Sequence, residues 1–197
     1  MNSKGEPKGH YVDPDQLPEY FPTHLHDMQF WEHLGRLIAT FGFLEETLGK
    51  AIFVLTATKE IDEKDFEVEY ARWLETLNRL LSDPLGSLTD LFSKAVREHQ
   101  QADKENLDHL VRQLRIAAKI RNALCHGSWR PPNSEGQSIP LYVTRKGNIF
   151  NTQVDIAYLK KTQKRTVEIC CDVINSVTTM GWQFPGSSGP GQPTLKN

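Results

Sequence analysis

Three side chains with complementary chemistry stand close together in the second half of the chain: Arg121, Asn122 and His126. Arginine keeps its positive charge and grips a carboxylate or a phosphate through two parallel N–H groups. Histidine titrates near neutral pH and can take up or release a proton. These residue types at this spacing are typical of a site that binds an anionic group and moves a proton beside it.

Arg121 is predicted to lie on the buried side of a helix. At about 100° per residue, with Leu107 as zero, the apolar stripe runs from about −60° to about +20° and contains Leu107, Leu110, Leu114, Ala118 and Cys125. Arg121 falls inside it, at about −40°. A guanidinium is unfavourable to desolvate alone, so this position requires a carboxylate partner, a phosphate ligand or a crevice open to water. An internal Arg–Glu bridge that merely stabilises the bundle remains an alternative.

Glu45 is the carboxylate that we expect beside Arg121. It lies about +60° from Phe30 on the first predicted helix, at the edge of the apolar stripe, whereas Glu46, at about +160°, faces solvent. The hypothesis is that Glu45 pairs with Arg121 or positions it. The alternative is a solvated carboxylate.

Asn122 and His126 are four residues apart, so they share one flank of the same helix. Arg115 and Lys119 continue that flank toward the start of the helix, which gives a basic ridge beside the apolar stripe. Because the helix should unwind at Gly127, Arg121 and His126 could meet over one phosphate.

No metal or cofactor site is predicted. His24 and His26 have metal-ligand character, but no second pair with the spacing of a zinc site accompanies them. Cys125, Cys170 and Cys171 lack a CxxC spacing and are read as reduced thiols. Phosphate-binding Gly-rich motifs are also missing from the sequence.

The fold class is predicted as all-α, an up-and-down bundle of about five helices. Apolar residues recur every three or four positions from Phe30 to Leu55, which predicts a first helix of about thirty residues after a cap at Asp27. The second should cover 66–81, the third 88–95, and the fourth 104–124 with a cap at Asp103. Gly127 should end the fourth helix in a left-handed conformation. A fifth helix should follow Asp155 and reach about residue 180.

One domain is expected over residues 27–183, with flexible tails at 1–26 and 184–197. Alternating residues around Gly147 predict a small β-hairpin at about 138–154, inserted before the last helix. With no run of eighteen or more apolar residues and no leader pattern, we expect a cytoplasmic protein that does not enter the membrane.

Charge is distributed unevenly along the sequence. Residues 1–100 carry 10 Lys and Arg against 18 Asp and Glu, a net of −8, whereas residues 101–197 carry 13 against 7, a net of +6. The second half can therefore attract a polyanion although the whole chain has a formal charge of −2. Two solvated faces of different sign are the simpler alternative.

The arrangement Arg121-Asn122, three residues, His126-Gly127 near the end of a late helix resembles the HEPN superfamily. The likeness covers roughly residues 27–181, and the predicted β-hairpin departs from that pattern. The resemblance implies a metal-independent endoribonuclease, a hydrolase-class RNA-binding enzyme that acts as a homodimer with two motifs facing each other. It also suggests a toxin or phage-defence role, with an antitoxin or regulatory protein as partner.

On this resemblance Arg121, His126, Asn122 and Glu45 are the candidate catalytic residues. RNA contacts are expected from five basic residues: Arg112, Arg115, Lys119, Arg130 and Lys146. Two alternatives remain open. One is a non-catalytic HEPN-like module that dimerises or binds a nucleotide or a protein, and the other is an unrelated helical scaffold.

Overall fold

A computed structural model describes residues 9–80 and 82–189. Its five α-helices are α1 (Met28–Ala57), α2 (Phe66–Leu80), α3 (Leu85–Glu98), α4 (Leu107–His126) and α5 (Ile156–Thr178). Short 3-10 turns cover Pro14–Gln16 and Glu63–Asp65. The prediction of an all-α fold with five helices is confirmed, and the predicted last residue of the second helix lies outside the described residues. No helix in the described ranges is long and apolar enough to cross a membrane.

The helix α1 forms the centre of the core. The Asp27 side chain accepts a hydrogen bond from the Gln29 N–H at 2.6 Å, as expected of an N-cap. The apolar stripe predicted from the sequence is buried, with Leu37, Leu44 and Leu48 fully enclosed. α1 packs against α5 most extensively and also contacts α3 and α4, so Glu45 of α1 lies in the central helix of the bundle and α4 carries the other catalytic candidates beside it.

Both ends of α4 differ from the sequence prediction. Asp103 accepts a hydrogen bond from the Glu105 N–H at 2.8 Å, but this stabilises a turn, and the helix begins only at Leu107. Gly127 has φ −75° and ψ 141°, so the predicted left-handed conformation is wrong. Glycine is required there because a Cβ would lie 2.6 Å from the Cβ of Pro140.

The segment predicted as a β-hairpin contains bridges rather than regular strands. Within the described residues, isolated antiparallel bridges join Ser128 to Leu141, Ser138 to Val154 and Val143 to Ile149. The turn itself is present, since the Gly147 N–H donates to the Thr144 carbonyl at 2.9 Å and Gly147 has φ 79°. The bridges fold the chain back over the end of α4.

Parts of both predicted tails pack on the bundle. Phe184, which the prediction assigns to the C-terminal tail, is 6% exposed and belongs to the core. On the other side, the Trp31 indole N–H donates to the Thr23 carbonyl at 2.9 Å. The ordered part of the chain therefore begins before residue 27 and extends beyond residue 183. Residues 1–8 and 190–197 lie outside the described residues.

Candidate active site

The tertiary structure brings Arg121 of α4 and Glu45 of α1 together. Arg121 Nη2 lies 3.4 Å from Glu45 Oε1, and the two side chains are 25% and 24% exposed. That carboxylate oxygen is buried and has no hydrogen-bond partner of suitable geometry in the described structure. The distance and the missing hydrogen bond together indicate an ion pair that orients the guanidinium without saturating it.

Asn122 contacts the same guanidinium from the next position of the helix. Its Oδ1 accepts a hydrogen bond from Arg121 Nη1 at 3.2 Å, in a partly buried setting. An arginine side chain has five N–H donors, and within the described residues Asn122 accepts the one side-chain hydrogen bond that Arg121 makes. Donors therefore remain for a ligand with oxygen acceptors.

His126 is the last residue of α4 and is exposed. No hydrogen bond or ion pair within residues 9–80 and 82–189 joins it to Arg121, Asn122 or Glu45. Arg121 and His126 thus lie on the last turns of one helix, but no hydrogen bond joins them in the described part of a single chain. An imidazole in this position is free to meet a substrate or a second protein surface.

Cys125 is half-buried beside the ion pair. Burial raises the pKa of its thiol, the charge of Arg121 lowers it, and the charge of Glu45 raises it. The net direction is upward, so the thiol is protonated near neutral pH and is a poor nucleophile. Cys125 is therefore an unfavourable candidate for a nucleophile at this site.

The basic residues predicted to hold RNA differ in their pairing. Arg115 lies in an ion pair with Asp90 of α3, with Nη2 and Oδ1 3.0 Å apart. The other four are exposed and lack a carboxylate partner among the described residues: Arg112, Lys119, Arg130 and Lys146. These four keep their positive charge available for a polyanion.

An aromatic cluster that the sequence analysis did not find flanks the turn after His126. Trp129 packs edge-on against Phe30, with ring centroids 5.0 Å apart, and His26 stacks on the same phenyl ring at 4.5 Å. Burial lowers the pKa of His26. His26, Phe30 and Trp31 are close in the sequence, whereas their contacts with Trp129 join residues about a hundred positions apart. The sequence signal for Trp129 is only its closeness to the motif.

The histidines considered as metal ligands do not assemble a site. Within the described part of the chain, no group of three or more His, Cys, Asp or Glu side chains lies together in a way that would hold a metal ion. His26 is instead packed among aromatic rings.

Comparison with protein-family models, with curated proteins and with solved structures found no match to this chain. Its function is therefore inferred from its own residues.

Proposed function

We propose that the chain is a metal-independent endoribonuclease of the HEPN type, with Arg121 and His126 as its catalytic residues. The observation that carries the proposal is the partly exposed guanidinium of Arg121. It is oriented by Glu45 and Asn122 and retains donors for a phosphate. A structural bridge would instead enclose the arginine and use its donors on internal acceptors.

The reaction needs groups of the kind that this helix end carries. The RNA 2′-hydroxyl oxygen attacks the neighbouring phosphorus, the bond from phosphorus to the 5′-oxygen breaks, and a 2′,3′-cyclic phosphate and a 5′-hydroxyl result. A base takes the proton of the 2′-hydroxyl and an acid supplies one to the 5′-oxygen. His126 serves as base or acid, and Arg121 stabilises the negative charge on the oxygens of the pentavalent phosphorane. Asn122 orients the guanidinium.

A homodimer would supply the second histidine. One chain has a single histidine in the motif, while the reaction uses a base and an acid. His126 is exposed at the end of α4, so a two-fold axis beside it can bring a second copy of the motif to the same phosphate. The bridged segment at 138–154, the predicted hairpin, lies over this end of α4 and would border the substrate.

The setting of this activity is also part of the proposal. A cytoplasmic toxin or phage-defence nuclease, held in check by an antitoxin or regulatory protein, is what the resemblance suggests. RNA would follow the exposed basic residues of α4 and of the segment after it, among them Lys119, Arg130 and Lys146.

The test is cleavage of mixed RNA by the purified full chain in EDTA, with mapping of the new ends. We expect 2′,3′-cyclic phosphate ends, and a loss of about a hundredfold or more in rate in both Arg121→Ala and His126→Ala. Matched controls are Arg36→Ala, an exposed arginine paired with Glu32 within α1, and His109→Ala, an exposed histidine on α4. Both controls should cleave normally, and circular dichroism should show all four variants folded.

A further variant, Glu45→Gln, keeps the size of the side chain and removes its charge. We expect cleavage to fall about tenfold, because the guanidinium loses its orientation, with little change in Tm. If Tm and cleavage are both unchanged, Glu45 has no positioning role.

Wild-type protein that binds RNA but never cleaves it would replace the proposal with the non-catalytic binding module. Full activity in His126→Ala would refute the assigned mechanism.

A further inference from the structure

The helix α2 lies on the bundle without burying any of its residues. Its apolar side chains form one stripe at helical spacing, with Phe66, Tyr70 and Leu74 among them. These three remain 57%, 48% and 42% exposed. A surface helix normally packs such a stripe on the core, whereas these side chains remain about half exposed to solvent.

A half-open cavity of about 550 Å³ lies between α2 and the groove that α1 and α3 form. Ile52, Leu91 and Ala95 line it from α1 and α3, while Phe66, Tyr70 and Trp73 line it from α2. Cavities of about 300 to 1,000 Å³ with mainly apolar walls are the usual sites of small molecules. The volume and the lining both suit such a ligand.

The α2 wall of the cavity is a row of aromatic rings. Phe66 and Tyr70 are nearly parallel, at 11°, with centroids 5.9 Å apart, and Tyr70 and Trp73 are 6.0 Å apart at 30°. Trp73 Nε1 is buried without an acceptor among the described residues. Aromatic rings pack well against other flat rings, face to face or edge to face. The indole N–H of Trp73 still lacks a hydrogen-bond acceptor in the described structure.

The charged residues of the lining are paired with one another, three cations with two carboxylates, which leaves the lining a net charge of +1. Lys59 Nζ lies 3.1 Å from Glu98 Oε2 and 3.9 Å from Glu69 Oε2. Glu69 also pairs with Arg72, and Glu98 also pairs with Lys94. All five charged lining residues thus belong to one alternating chain of ion pairs. A cationic ligand would lose hydration and meet this net positive charge, whereas an anionic ligand would lose hydration and have to compete with Glu69 and Glu98 for cations that are already paired.

We propose that this cavity is a binding site for a small uncharged molecule with planar aromatic rings, held under α2. The site is separate from the Arg121–Glu45 pair, and it does not depend on the nuclease proposal.

The test compares two probes with the same ring system in fluorescence titrations of the full chain. N-phenyl-1-naphthylamine is uncharged, and 8-anilinonaphthalene-1-sulfonate adds one negative charge. We expect one equivalent of the uncharged probe to bind per chain, about tenfold more tightly than the sulfonate. Arg121→Ala should bind the uncharged probe as the wild type does, which separates this site from the nuclease proposal.

Two substitutions at exposed positions of α2 show whether the probe binds in the cavity. Tyr70→Ala removes one ring of the wall, and we expect it to weaken binding of the uncharged probe about fivefold or more, a loss of the size expected for one ring contact. Val68→Ala is the matched control, because Val68 is 56% exposed and does not line the cavity; binding should not change. Circular dichroism should show both variants folded.

Four outcomes would overturn the proposal: no binding of the uncharged probe, tighter binding of the sulfonate, several equivalents per chain, or equal loss in both variants. Analytical ultracentrifugation tests the alternative occupant of this surface, a second copy of the chain. Self-association that Tyr70→Ala abolishes, with no probe bound, would assign the exposed stripe of α2 to a second copy of the chain.

Discussion

At the scale of single residues, the hydrogen bonds of His99 determine which tautomer its imidazole ring adopts. The side chain is 1% exposed, and its Nδ1 accepts a hydrogen bond from the Gln101 N–H at 3.2 Å. Nε2 lies 3.0 Å from Thr58 Oγ1, whose own hydrogen is donated to the Val54 carbonyl at 2.8 Å. Nε2 therefore carries the proton of the neutral ring, and Nδ1 cannot gain one without losing its donor.

His99 should make the stability of the protein depend on pH. Burial lowers the pKa of His99; Thr58 and Glu60 act in the opposite direction, and Lys104 lowers it further. The unfolded chain then binds a proton more tightly than the folded one, so stability is present above about pH 6.5 and is lost as the pH falls through the folded pKa. We expect Tm to decrease from about pH 7.5 to about pH 5.5.

The variant His99→Gln should be less stable than the wild type, but its Tm should fall less on acidification. His26, whose pKa is also lowered by burial, will leave part of the decrease. His109→Gln replaces an exposed histidine and should keep the full wild-type decrease. Thermal unfolding followed by circular dichroism measures all three proteins, and an undiminished decrease in His99→Gln would contradict the assignment.

At the scale of the elements, the end of α4 is fixed by a close approach. The Gly127 N–H donates to the Ala123 carbonyl at 2.9 Å, and the bridged segment brings Pro140 against the same residue. A Cβ at position 127 would lie 2.5 Å from the Ala123 oxygen and 2.6 Å from Pro140 Cβ. The segment that lies over the candidate active site can therefore approach the end of α4 this closely only because residue 127 has no side chain.

Gly127→Ala should destabilise the protein by about 1–3 kcal/mol, because the new methyl group overpacks this contact. Gly35→Ala is the matched control. It lies in α1 with no heavy atom within 4 Å of an added Cβ, so alanine should stabilise the helix by about 0.5–1 kcal/mol. Urea unfolding measures both changes. Equal effects of the two substitutions would show that the contact with Pro140 is unimportant.

At the scale of the whole molecule, the uneven charge of the sequence becomes an uneven distribution of paired and unpaired cations. Every Lys and Arg between residues 9 and 100 has a carboxylate partner: Arg36, Lys50, Lys59, Lys64, Arg72, Arg79, Lys94 and Arg97. From residue 101 to 189, only Arg115, Arg121 and Arg165 have one within the described structure. The free positive charge is therefore concentrated in the second half of the chain.

RNA affinity should consequently fall steeply as the salt concentration rises. The slope of log affinity against log salt should depend on cations in the second half of the chain and not on those in the first half. For single strands the logarithm of affinity changes by about −0.7 per phosphate contact for each unit of log salt. Replacing Lys119, Arg130 and Lys146, the exposed and unpaired residues on the proposed RNA path, with alanine should reduce the slope by about 2. The matched triple variant replaces Arg36, Lys64 and Arg79, which are ion-paired, and should leave the slope unchanged. Filter binding of a labelled RNA over a series of salt concentrations measures the slope for both triple variants. Equal slopes would contradict the assignment.

The sequence by itself determined the features that depend on neighbours along the chain. The stripe of α1, its cap at Asp27 and the start of α5 after Asp155 follow from helical periodicity and from side-chain to backbone hydrogen bonds within a few residues. The same periodicity placed Arg121 on a buried side and Glu45 at the edge of its stripe. It could not show whether the two meet, because their contact at 3.4 Å depends on how α1 and α4 pack.

Only the tertiary structure decided how completely each apolar face is covered. The pattern of α2 predicts a packed helix, yet its stripe lies over a cavity. In the same way, the role of Gly127 follows from Pro140, which is distant from the helix in the sequence. Local patterns indicate which side of an element turns inward, whereas the distance to the neighbouring element is set by the joint packing of all of them.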